Sequence, residues 1–94
     1  MIAMLATLKV KEGHEADFEA AANKLAEAVR ANEPGCKHYQ LCKGDAPQTY
    51  YFMERYENDE ALAAHGGSDH MRKLGAAMGP HMAGRPEILK LTEL

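Results

Sequence analysis

The opening segment MIAMLATLKV alternates in the manner of a strand. Ile2, Met4, Ala6, Leu8 and Val10 fall on one face, and Ala3, Leu5, Thr7 and Lys9 on the other. Both faces stay largely apolar until Lys9, as in a strand covered on both sides. The period then lengthens. Phe18, Ala22, Leu25 and Val29 recur at helical spacing, with Ala21 and Ala28 beside them, and predict a helix from about His14 to Ala31. Glu15, Asp17 and Glu19 occupy its first turns, where the helix dipole favours negative charge. Pro34-Gly35 ends the element.

CKHYQLCKG and QTYYFMERYE read as two strands joined by the turn sequence GDAP. In the second, Tyr50, Phe52, Glu54 and Tyr56 share one face, and Tyr51, Met53, Arg55 and Glu57 the other. NDEALAAH starts a helix with Asn58 as N-cap and Asp59 and Glu60 in the first turn. Gly66-Gly67 interrupts it. Ser68 can cap a further helix in which Met71, Leu74, Gly75 and Met78 share a face, and Gly79-Pro80 stops that one. PEILKLTEL is a final strand.

The order is β-α-β-β-α-β, with no internal repeat and no linker. It predicts one α+β domain over residues 1–94. The simplest packing is ferredoxin-like: a four-stranded antiparallel sheet with the helices on one face. That arrangement leaves the other, partly apolar face of the sheet uncovered, and a homodimer with sheets face to face would cover it. A pocket can then lie between sheet and helices.

Composition narrows the class. The chain has 94 residues, 14 acidic against 11 basic, and no tryptophan. Its scattered lysines and arginines form no basic run, so neither a phosphate-driven nucleic-acid surface nor a basic membrane-binding helix is expected. There is no apolar stretch of membrane-spanning length and no signal peptide, which points to a cytoplasmic protein with reduced thiols. Cys36 and Cys42 lie on one strand at about 20 Å separation, too far to bridge, with shared parity. Both read as small structural hydrophobes.

The chemistry concentrates in a few residues. His65 and His70 stand five apart with a glycine pair between them. A helical metal pair needs i, i+4 spacing, and no acidic or cysteine ligand stands at a recognisable distance, so no metal site is expected. His65 borders the buried side of its helix. It is either a hydrogen-bonded helix-end residue or a pocket group that positions or deprotonates a substrate. His70, just after the Ser68 cap, is expected to be partly exposed. Glu54 shares its face with three aromatic rings. It is either paired with a neighbouring Arg or Lys, or buried with a raised pKa suited to acid–base work. Met53, Met71, Met78 and Met82 are core filler or an adaptable pocket wall.

EPGCKHYQL, YYFMERYENDEALAAH and SDHMRKL together resemble the antibiotic biosynthesis monooxygenase-like family, small dimeric α+β barrels that include quinol monooxygenases. The carrying features are Glu33-Pro34-Gly35, Glu54-x-Tyr56, and Asp59-Glu60-Ala61-Leu62 leading to His65 and then His70. Tyr56 stands where many relatives carry Trp. Ala6, His65 and Gly75 stand where the heme-degrading branch carries Asn, Trp and His, which argues against that branch. The resemblance implies a monooxygenase without metal or flavin, acting on a quinol or polyketide-type aromatic. It would have His65 and Glu54 as catalytic groups and Tyr56, Phe52, Tyr50, His70 and Met71 around the substrate. An isomerase or tautomerase of a small carbonyl compound, or a non-catalytic binder of small aromatics, are the alternative readings.

Overall fold

Each predicted segment becomes an element in the computed structural model, which describes residues 1–94. Along the chain these are β1 (Ile2–Lys9), α1 (Glu15–Asn32), β2 (Cys36–Lys43), β3 (Thr49–Tyr56), α2 (Asp59–Gly66), α3 (Asp69–Met78), a 3-10 turn (Gly79–His81) and β4 (Glu87–Thr92). The helix boundaries move by one residue, since His14 occupies the N-cap of α1 and Asn32 its last turn. All strand pairs are antiparallel, in the order β2-β3-β1-β4, and the fold is ferredoxin-like.

The sheet register sets the core. Met4, Ala6 and Leu8 stand opposite Glu54, Phe52 and Tyr50, so the even positions of β1 and β3 form one continuous face. On that face α1 lays Phe18, Ala22, Leu25, Ala26 and Val29, all buried. Each fully buried large side chain of this stripe contributes roughly 1.5–3 kcal/mol. Met78 from α3 and Tyr39 from β2 complete the cluster.

The opposite face has no cover. Leu5 stands between Met53 and Leu89, and Ala3 beside Leu91. Met53, Leu89 and Leu91 are each about half exposed. The edge strand β4 lies beyond the reach of the helices, so Ile88 is exposed on the helix side as well. Met53 therefore belongs to the open face and not to any wall beneath the helices.

One expectation about β2 is corrected. A register shift between Cys36 and His38 inserts a bulge. Cys36 pairs with Tyr56 on the helix side, whereas Cys42 pairs with Tyr51 on the open side. The extra residue reverses the parity that a regular strand would have kept. Both thiols are free, and burial, partly offset by a hydrogen bond to His38, pushes Cys36 up to about 11. Such a thiol stays protonated and packs as a hydrophobe.

Candidate active site

Four short devices place the polar groups beneath the helices. Glu33 caps the C-terminus of α1, its N–H donating to the Val29 carbonyl at 2.9 Å. Gly35 then lets α2 approach: a Cβ on Gly35 would sit 2.6 Å from the Cβ of Ala61. Asn58 caps α2 by accepting from the Ala61 N–H at 2.8 Å, which aims the helix so that His65 arrives in its last turn. Ser68 joins the two helices. Its hydroxyl donates to the His65 carbonyl at 2.8 Å and accepts from the Met71 N–H at 3.2 Å. The glycine break is therefore a fixed corner.

This corner overturns the spacing argument made for His65 and His70. Five residues along one helix would point the rings apart, but the chain turns between them. Both rings reach the same carboxylate. Nδ1 of His65 lies 3.0 and 3.1 Å from the two Glu33 oxygens, and Nε2 of His70 hydrogen-bonds Oε2. The side chains of Glu33 and His65 are 7% and 8% exposed and that of His70 17%, so His70 is partly exposed, as its position after the Ser68 cap predicted. Glu33 is the residue that the sequence reading missed. The available signal was its place at a helix C-terminus, where a carboxylate opposes the dipole and needs donors to stabilise it.

A cavity of about 250 Å³ lies between the sheet and α2 and α3. Phe52, Glu54, His65, Met71 and Met78 line it, with Tyr39 and Leu62. Of the predicted site residues, His65, Glu54, Phe52 and Met71 thus meet in one place. Tyr56 sits behind this wall, fully buried, and donates its hydroxyl to Glu54 Oε1 at 2.6 Å. Tyr50 is corrected: it lies at the other end of β3, bonded to Glu19, and does not reach the cavity. His70 is also corrected, opening instead onto a separate groove with Asn58 and Ser68. Met82 lies outside the cavity lining.

Glu54 has no Lys or Arg partner, so the ion-pair reading does not hold. Its cross-strand neighbours are Met4 and Tyr39. Burial raises its pKa, partly offset by the Tyr56 hydroxyl and the nearby His65, while Glu33 raises it further. Burial likewise raises Tyr56 and Tyr39, keeping both phenols protonated. The result is an apolar cavity with two proton-handling groups. One is a carboxyl that holds its proton more tightly than usual. The other is an imidazole whose Nδ1 is engaged by Glu33, leaving the rest of the ring to the cavity.

The sequence matches the antibiotic biosynthesis monooxygenase family over residues 1–77. A crystal structure from Caulobacter crescentus, provisionally named an antibiotic biosynthesis monooxygenase, is 45% identical with a TM-score of 0.95, covering 99% of this chain and 89% of that one. A provisionally named monooxygenase from Nitrosomonas europaea is 22% identical with a TM-score of 0.91, covering 100% and 99%. Rv0793 from Mycobacterium tuberculosis is 24% identical with a TM-score of 0.89, covering 99% and 94%. These last two share the fold. No curated protein matches the chain.

Proposed function

The chain belongs to the antibiotic biosynthesis monooxygenase family, and from that premise we propose that it is a cofactor-independent monooxygenase of a small electron-rich aromatic, a quinol or a polyketide-type phenol. The observation that carries this reading is the cavity shared by His65 and Glu54. At about 250 Å³ it falls below the roughly 300–1,000 Å³ typical of drug-sized ligands, so it suits a small substrate.

With Glu33 accepting the Nδ1–H, His65 offers Nε2 to the cavity as a base. It takes the phenolic proton, and the resulting carbanion-like phenolate passes electrons to dioxygen. A carbon–oxygen bond forms to give a hydroperoxide. Loss of water then leaves a carbonyl, with one oxygen atom in the product and the other in water. The substrate itself supplies all four electrons that reduce dioxygen. The protonated Glu54, backed by Tyr56, donates to the leaving hydroperoxide oxygen. Phe52 and Met71 hold the ring and exclude water.

Oxygen uptake with a panel of reduced quinones and anthrone-like compounds tests this. Uptake above the buffer rate that falls about 10²–10⁴-fold in His65→Ala supports it. No uptake across the panel removes it. Turnover that persists under strict anaerobiosis would instead favour proton transfer alone, as in a tautomerase.

The uncovered sheet face supports a second part of the proposal, a homodimer. Leu5, Met53, Leu89 and Leu91 form an apolar strip rimmed by His38, Arg55 and Glu93, and a second copy of this strip is its natural partner.

A further inference from the structure

We propose that Glu33, His65 and His70 form a binding site for one divalent transition-metal ion. The three offer one carboxylate oxygen and two imidazole nitrogens, all within 4.8 Å of one another. They come from the end of α1, the last turn of α2 and the first turn of α3, so an ion would clamp three elements at one point.

Charge gives the second reason. Glu33 and Glu54 are both buried. No lysine or arginine pairs with either. Five of the eleven lysines and arginines pair with other carboxylates, Lys37 with Glu57, Lys43 with Glu19, Arg55 with Glu93, Arg72 with Asp69 and Lys90 with Asp59. A buried carboxylate without a cation is costly. Either a protonated imidazole or a bound cation must offset it, and two imidazoles beside one carboxylate are the usual donors of a cation site.

The donor set selects the ion. Two nitrogens and one oxygen suit Zn²⁺, Co²⁺ or Fe²⁺, whereas Ca²⁺ and Mg²⁺ prefer oxygen alone. Access runs through the groove onto which His70 opens, whose walls carry two further carboxylates, Glu57 and Glu60. The Ser68 hydroxyl on the His65 carbonyl fixes the ligand-bearing corner from behind.

Loading has a consequence for the cavity. Coordination through Nδ1 of His65 confines its remaining proton to Nε2. His65 then presents a donor to the cavity instead of a base. The ion would thus withdraw the base that the proposed function assigns to His65.

The test uses full-length protein freed of metal with a chelator, then titrated with Zn²⁺ or Co²⁺ alone. Calorimetry reports stoichiometry, visible absorption of Co²⁺ reports nitrogen ligation, and thermal unfolding reports stabilisation. None of these readouts needs a substrate. The expected result is one ion per chain with a raised unfolding temperature, and affinity at least about tenfold weaker in both Glu33→Gln and His70→Ala. Circular dichroism checks that the variants fold; should Glu33→Gln fail, His70→Ala on the groove side carries the comparison. No saturable binding at one equivalent overturns the proposal, since the imidazoles alone then offset Glu33. Binding that is equal in wild type and His70→Ala overturns it too, as adventitious.

Discussion

Nδ1 of His65 meets a carboxylate oxygen of Glu33 at 3.0 Å, although the two residues stand 32 apart in the chain. This contact decides what His65 can do. It fixes the ring's orientation and commits one nitrogen, so the other is directed away from Glu33. It also draws α1 and α2 together at the rim of the cavity.

The corner between α2 and α3 depends on Ser68. Its hydroxyl serves both helices, as donor to the His65 carbonyl and as cap to the Met71 N–H. Ser68→Ala should cost about 0.5–2 kcal/mol in denaturant unfolding. It should also lower activity by more than this loss of stability explains, because both ligand-bearing turns lose their common anchor. Ser68→Asp keeps the cap but not the donor. If the His65 position needs that donor, Asp should recover stability and not activity.

Gly35 faces a steric limit. A methyl group there would stand 2.6 Å from the Ala61 Cβ, well inside contact distance. Gly35→Ala should therefore displace α2 and destabilise the fold by about 1–3 kcal/mol in thermal or urea unfolding. Adding Ala61→Gly removes the opposing atom. The double variant should recover stability at the clash, less roughly 1 kcal/mol for a glycine within a helix. Additive losses in the pair would show that the contact is not the cause.

Glu54 makes stability pH-dependent. Its pKa is raised in the folded protein from the ordinary 4.5, chiefly by burial. The folded state thus holds the proton more tightly than the unfolded chain. The stability contributed by Glu54 is complete below the unfolded value and is lost as pH rises through the folded one. Glu54→Gln can still accept the Tyr56 hydroxyl but never ionises. Its stability relative to wild type should rise with pH from about 4.5 upward, by about 1.4 kcal/mol for each unit of the shift. A flat difference across that range would mean that Glu54 is not desolvated.

The open sheet face makes a prediction about association. Leu89 stands opposite Leu5 in the apolar strip and is 53% exposed. The wild-type chain should scatter light as a dimer at micromolar concentration, and Leu89→Lys as a monomer. Burying lysines across a two-fold interface without partners is unfavourable. A wild-type monomer would contradict the homodimer.

Much of the fold was legible because its signals are local. Phe18 to Val29 carry the helical period in full, and Asn58 and Ser68 announce their caps by residue type alone. Glu54 stood out as the only acid among the aromatic residues of its strand face. The misreadings share one physical origin. The β2 bulge has no marker in CKHYQLCKG, and one unpaired residue reverses every later side chain. Tyr50 shares the face of Glu54, but four residues of extended chain carry it about 13 Å away, to the α1 side of the sheet.

The sequence by itself determined which segments are strands and helices, which stripe of α1 is buried, and that one face of the sheet is left uncovered. Those properties follow from periodicity and residue type, which neighbouring positions carry. Only the tertiary structure decided that His65 and His70 converge. Their partner Glu33 comes from the far end of α1, and it reaches them because the sheet places the end of that helix beside the turn between α2 and α3. No spacing within a single helix encodes a meeting between three separate elements.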